Sequence, residues 1–560
     1  MQKKSLLKKS LAILMAATMT MGLAACGDSG DSSTPESGSA GGSSEAGGDA
    51  AADSGDAAGG DAAADSGDAA DGEEAAGDLF GEEVDIRVMV WDRGNAAPGT
   101  TTEDNTLTQW IKDQVKEKFN INVTYISVPR SGSDDQLNIM MTGGQAPDIV
   151  FTYDQALYYN YASNGGLADL SDAYAKYGSD IAKYCEEAQP ISMIGDQKFA
   201  VMKQRGTESA RHMSYIRKDW LDELNMEMPT NKEELGEYLY AVKEKGLGTP
   251  WGMSGRGDTE KMFIRFVGSY VPLTDDKTAY MYHDDAYIVA APEAKEGLKV
   301  LNQWYNDGLI TNEFPTDTTE DAYKADISNG KVGFVLDDVY NPHASFEVLN
   351  NEIGHETFVP IDCFDTPDGS YRTPFEYRYA MFVMVPKASE SKVDACMKYL
   401  NWMADPSVAV NIRYTPDHET TEQGVALDLK DEVRQEKGYP GTPDDLSIVN
   451  LNFDWVNDYD LMAQVEYDNQ ATPWTTLEWR QDFYKVMMGS KYRYPVLGAI
   501  SEDEQTYGPD VKNRLVQFVY NVICCPTDQF ESTYESGYSE LVNAGLQKIL
   551  DGRAAAWDAQ

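Results

Sequence analysis

Two aromatic–acid pairs, Trp91-Asp92 and Tyr153-Asp154, stand where this chain could hold a ligand, each directly after a run of alternating or apolar residues. An aromatic ring gives a flat apolar face, and a carboxylate gives charge-assisted acceptors. Together they suit a hydroxyl-rich molecule such as a sugar. Asp154 also fits a solvated loop carboxylate or a helix cap, and Trp91 fits a core as well as a cleft. Trp251 follows Gly248-Thr249-Pro250, where a large aromatic is costly unless buried or used. Trp474, in Thr472-Pro473-Trp474, is a further stacking candidate.

Catalytic constellations are harder to find. There is no G-x-S-x-G elbow, no phosphate-loop motif and no H-E-x-x-H. Gly246-x-Gly248 lacks the preceding strand and third glycine of a dinucleotide loop. The five histidines (His212, His283, His343, His355 and His418) are scattered. A glycoside hydrolase needs two carboxylates facing across a cleft. With 93 acidic residues some pair always looks suitable, so that signal carries no weight. Nothing here requires catalysis or a cofactor.

The elements that position these residues are legible. Val84, Ile86, Val88 and Val90 alternate as a strand, and Leu107, Trp110, Ile111, Val115 and Phe119 share a helical face. Ile121, Val123 and Tyr125 make a second strand. A helical stretch near Leu137 to Met141 leads to the apolar run Ile149-Val150-Phe151. This β-α-β-α-β order predicts an α/β fold with mainly parallel sheets flanked by helices. Ligands of such sheets bind beyond the carboxyl ends of the strands, where both aromatic–acid pairs lie. Farther on, Thr230-Asn231-Lys232-Glu233 reads as a capping box opening a helix to about Lys245. Helices are expected over about Ala294 to Asn306 and Asp394 to Met403, and strands over Val332 to Leu336 and Ala380 to Val385.

The N-terminus reads as an export signal. Lys3, Lys4, Lys8 and Lys9 precede the uncharged stretch Leu11 to Ala25, too short to span a membrane comfortably. Leu23-Ala24-Ala25-Cys26-Gly27 matches the lipobox of bacterial lipoproteins, which implies cleavage before Cys26 and lipidation (palmitate) of its thiol. Two acyl chains there give stable anchoring. From Gly27 to Asp78 the chain is almost entirely Gly, Ala, Ser, Asp and Glu, a composition that cannot form a core. Its flexible end-to-end distance is on the order of 40 Å, enough for a tether. The formal charge of -47 argues against nucleic acid and anionic lipid surfaces as partners. Cys185, Cys363, Cys396, Cys524 and Cys525 form no disulfide framework and no zinc motif.

Several segments resemble the extracellular solute-binding proteins of carbohydrate ABC importers, in their large Gram-positive lipoprotein branch. These are Met141-Thr142-Gly143-Gly144-Gln145-Ala146-Pro147-Asp148-Ile149-Val150, then Asn164-Gly165-Gly166-Leu167-Ala168-Asp169-Leu170, then Ile216-Arg217-Lys218-Asp219-Trp220-Leu221 with Pro229-Thr230. Gly330-Lys331-Val332-Gly333-Phe334 and Lys398-Tyr399-Leu400-Asn401-Trp402-Met403 complete the set. Two features depart from the family. The interval Lys243 to Pro250 has no carboxylate cluster, so no calcium is expected there. Tyr414-Thr415-Pro416-Asp417-His418 replaces a Tyr-Gly-x-Glu-Gly segment.

The resemblance implies a type II periplasmic-binding-protein-like fold, with two α/β lobes joined by hinge crossovers and a ligand between them. Residues 1–25 are the expected signal peptide and 26–78 the tether. Lobe 1 is expected over 79–205 plus part of about 375–445, and lobe 2 over 206–374 plus much of 446–560. It further implies sugar contacts at Asp154, with Tyr153 stacking, and at Asp338 and Tyr340, where Asp337 equally fits a helix cap. Arg205 and Arg217 fall near the crossover, a buried salt bridge being the other reading of Arg217. The implied partners are an oligosaccharide and the permease subunits. The protein is expected as a monomer on the outer face of the cell membrane.

Overall fold

The computed structural model describes residues 80–559 apart from 207–208, 256–261, 274, 283–286, 470–473, 490–494 and 496–499. The expected signal peptide, Cys26 and tether lie outside the described residues.

The first strand, β1 (Val84–Asp92), pairs in parallel with β2 (Ile121–Pro129), with Trp91 opposite Val128 and Asp92 opposite Pro129. From Val88 to Trp91 every β1 residue is buried, because helices cover both faces of this sheet. Helix α1 (Thr106–Phe119) connects them, and Asn105 caps it by accepting from Leu107 N and Thr108 N. Its buried residues Leu107, Ile111, Val115 and Phe119 form the apolar face read from the sequence. Helix α2 (Ser133–Thr142) leads to β3 (Val150–Thr152), joined to β1 by a parallel bridge between Val88 and Ile149. Helix α3 (Gln155–Ser163) follows. The Pro-Asp motif has a structural purpose here. Buried Asp148 accepts from Arg87 N at 2.7 Å, Ser389 Oγ at 2.6 Å and Lys392 Nζ at 2.9 Å, tying β1 to the region before the Val393–Ala404 helix.

Apart from two short hairpins of two-residue strands, the strands that follow are β4 (Ala200–Gln204), β5 (His212–Arg217), β6 (Thr249–Trp251), β7 (Val332–Asp338), β8 (Phe358–Ile361) and β9 (Tyr379–Met384). Strand β9 lies between β3 and β4, antiparallel to both. The second sheet has the order β8-β5-β7-β6, and only β6 and β7 are parallel. The expectation of mainly parallel sheets is therefore corrected. Strands that cross from one core and return enter their sheet against its neighbours, and the parallel β-α-β pattern is kept at the start of the chain and between β6 and β7.

Two large hydrophobic cores result, beside a small cluster of Ala409, Leu451, Phe453 and Val456. One takes in Ile86 to Met202 with Ala380 to Val449, the other Met213 to Tyr371 with Met462 to Leu550. Three segments cross between them side by side. Arg205 N donates to Arg378 O at 2.8 Å, Glu376 N to Ser209 O at 2.8 Å, and Gln204 N to Val449 O at 2.7 Å. Gly206 sits where they touch: a Cβ there would lie 2.3 Å from the Leu451 carbonyl oxygen.

The helix at Lys232–Lys245 starts one residue later than read. Asn231 is the cap, and Glu234 rather than Glu233 reaches back, accepting from Thr230 N at 2.7 Å. Three C-terminal helices, Glu502–Cys524, Phe530–Ala544 and Leu546–Asp558, complete the second core. A buried ion pair of Arg553 and Glu504 (Nε to Oε2, 3.0 Å) pins the last of them to the first.

Candidate functional site

Because β1, β2 and β3 run in parallel, their carboxyl ends share one edge, and the residues just past those ends meet. Trp91 stacks on Tyr153 with ring centroids 5.4 Å apart and 26° between planes, while Phe151 meets Trp91 edge-on at 4.9 Å. Arg130, directly after β2, is held at this edge by its own N–H, which donates to Asp92 O at 2.8 Å. Its guanidinium lies 4.2 Å from the Trp91 ring centroid and 5.6 Å from that of Tyr153. Both separations are within cation–π range.

Acidic groups border this platform. Asp134, in the first turn of α2, accepts from the Thr152 hydroxyl at 2.7 Å. Burial is the main influence on Asp134 and raises its carboxyl above the usual range, while the charge of Arg130 opposes that rise. Asp154 caps α3, accepting from Leu157 N at 2.9 Å, so the helix-cap reading of this exposed residue is realised. Helix α3 packs against the Glu502–Cys524 helix of the other core, so this edge faces across the molecule.

The second sheet offers a polar edge at the hinge. Asp338, ending β7, lies opposite His212, which begins β5. Its Oδ1 is 3.3 Å from His212 Nε2 and 3.5 Å from Arg211 Nε. Arg205 pairs with Glu376 on the crossing segments. Beside them opens a cavity of about 410 Å³ lined by Lys183, Tyr184, Glu187, Gln204, Arg378 and Asn452, among others. Arg378 and Glu187 form an ion pair of 2.9 Å at this cavity.

Of the residues singled out in the sequence, the fold brings Trp91, Tyr153 and Asp154 to one edge and Arg205 and Asp338 to the hinge. The others go elsewhere. Trp251 is fully buried among Phe266, Trp304 and Phe334, at 5.8, 6.1 and 5.1 Å, as a core anchor. Trp474 and the half-buried Tyr340 join an aromatic cluster around His343, each 5.5 Å from its ring. Burial holds that imidazole neutral, its pKa lowered to about 3. Trp91, 3% exposed, serves the site from beneath rather than as an open stacking face.

Arg217 ends β5 at the opposite edge, five residues and about 17 Å from His212. There it pairs with Asp219 (Nε to Oδ1, 2.7 Å), donates to Gly330 O at 3.0 Å and lies over Trp220. That is the structural salt bridge. Arg130 and His212 were missed by sequence reasoning. The signal for Arg130 is its place just past the carboxyl end of the second strand, the side on which ligands of parallel sheets bind.

The bacterial extracellular solute-binding protein family matches residues 98–410. The polygalacturonan/rhamnogalacturonan-binding protein YtcQ of Bacillus subtilis (strain 168) is 23% identical over 320 residues, covering 54% of this chain and 62% of YtcQ. The fructooligosaccharide ABC transporter substrate-binding protein FusA of Streptococcus pneumoniae serotype 4 is 25% identical over 241 residues, covering 36% of this chain and 41% of FusA. The alignments thus span less than two thirds of these curated relatives. Among solved structures, the alginate-binding protein AlgQ2 without calcium ion superposes with a TM-score of 0.61 at 18% identity, covering 86% of this chain and 99% of AlgQ2. FusA from S. pneumoniae in complex with kestose gives 0.60 at 17% identity, covering 85% and 99%. The structural likeness fixes the two-lobe solute-binding fold. With more than half of its length matched to the family, this chain belongs to the bacterial extracellular solute-binding proteins.

Proposed function

We propose that this protein captures an extracellular oligosaccharide and delivers it unchanged to an ABC-type permease, from the outer face of a cell membrane where a lipidated Cys26 holds it. The observation that carries the reading is the strand-end platform of Trp91, Tyr153 and Arg130, facing a second core across three crossing segments. Such crossings permit closure of one lobe on the other, and a ligand touching both would favour the closed form by its differential affinity. The surroundings are suited to sugar hydroxyls. Paired arginines and carboxylates at the hinge present fixed donors and acceptors, and the 410 Å³ cavity there is polar and of ligand-binding size. The names of YtcQ and FusA, both binding proteins for saccharides, support the same class. No helix among the described residues is long and apolar enough to cross a membrane.

A thermal-shift panel of plant and host oligosaccharides on the exported chain carrying Cys26→Ser tests capture. A ligand at a hundred times its dissociation constant stabilises by about 2.7 kcal/mol. Recovery of the bound sugar intact is the expected result. Release of shorter products would make the protein an enzyme, and a panel without a binder would remove the oligosaccharide reading. Expressed in a bacterium, the Cys26→Ser chain should move from the membrane to the medium.

A further inference from the structure

Arg130 is in an unusual position for this chain. With 93 acidic residues against 46 basic ones, carboxylate partners are plentiful. Arg93, Arg205, Arg217 and Arg378 each hold one. Arg130 forms no ion pair with any described residue, although Asp134 influences it electrostatically and is itself engaged by Thr152. Its Nε is buried with no acceptor among the described residues, and so is Nε1 of Trp91 directly beneath it. Buried donors left unmatched are costly, and a partly buried cation without a counter-charge more so.

The stacking contacts explain what such an arrangement is good for. Lying against Trp91 and within reach of Tyr153, the guanidinium has its plane fixed, which leaves its edge as a pre-oriented planar fork of N–H donors. A fork of this kind matches a carboxylate in a bidentate pair. The overall charge of -47 opposes anions at long range, so selecting one requires a local cation of this sort.

We propose that this edge is a carboxylate subsite and that the captured oligosaccharide carries an acidic sugar, a uronic acid or a sialic-type acid. The inference rests on the oligosaccharide reading above.

Titration calorimetry on the exported chain carrying Cys26→Ser tests it with two acidic–neutral pairs of probes: trigalacturonate beside the same trisaccharide with its carboxyls reduced to alcohols, and sialyllactose beside lactose. At least a tenfold preference for an acidic sugar over its neutral counterpart is expected. The pair that shows it distinguishes an internal uronate from a terminal acid. Arg130→Gln should collapse that acidic-to-neutral ratio by on the order of ten- to a hundredfold. Arg130→Lys, a point charge without the fork, should fall between. Unchanged thermal midpoints confirm that both variants fold. Equal affinity for acidic and neutral sugars, or an equal loss for both in Arg130→Gln, overturns the carboxylate subsite while leaving oligosaccharide capture standing. Binding of no saccharide at all overturns both.

Discussion

Replacing Trp251 by Ala separates two roles that its sequence position left open. The indole is fully buried and meets Phe266, Trp304 and Phe334 at centroid distances of 5.1 to 6.1 Å. Burying roughly 200 Å² of aromatic surface at about 25 cal/mol per Å² gives an upper bound near 5 kcal/mol. Measured Trp-to-Ala losses in cores run at about 3–5 kcal/mol, cavity included. A cost of about 4 kcal/mol is therefore expected. Urea unfolding followed by circular dichroism should show the transition of the second core moving down by roughly 1.3–2 M, for a slope of about 2–3 kcal/mol/M. The indole N–H has no acceptor among the described residues, so Trp251→Phe forfeits no hydrogen bond and should cost less than half as much. Ligand affinity, measured where the variant remains folded, should change little. A Trp251→Ala protein of normal stability that no longer binds ligand would refute the core assignment and return Trp251 to the cleft.

Asp148→Ala removes a buried carboxylate that accepts three hydrogen bonds, one of them from a lysine, and should cost about 3 kcal/mol in the unfolding of the first core. Gly206→Ala drives a methyl into the Leu451 carbonyl at the crossing, so a loss of about 1–3 kcal/mol with weakened ligand binding is expected by denaturation and calorimetry. Lys198 is buried over the Tyr174 ring, and burial lowers its pKa to about 8. A folded pKa below the unfolded value means that the unfolded chain binds more protons between about pH 8 and 10.5. Wild-type stability should therefore rise relative to Lys198→Met across that window, and parallel pH profiles of the two proteins would contradict this.

The sequence by itself determined what depends on short-range rules. Alternation located β1 and β2, the apolar stripe of Leu107, Ile111, Val115 and Phe119 located α1, and the Pro-Asp segment placed β3. Composition alone marks residues 27–78, almost entirely Gly, Ala, Ser, Asp and Glu, off from the rest of the chain. Even there local signals had a one-residue tolerance: Thr230 and Asn231 both make good caps, and packing chose Asn231.

Tertiary structure decided everything that depends on which residues meet. Alternation is the same for a parallel and an antiparallel strand, so the direction of β5, β8 and β9 could not be read along the chain. A tryptophan is favoured equally by a core and by a sugar-binding face, and only the surroundings sent Trp251 and Trp474 inward. Arg217 looked like a hinge residue in one dimension, yet a strand of six residues carries it to the far edge of its sheet. Arg130 acquired its place only when the register of β1 on β2 set Asp92 opposite Pro129 and brought the guanidinium over Trp91. The site is built from strand ends far apart in sequence, so its membership is a property of register, which no local pattern encodes.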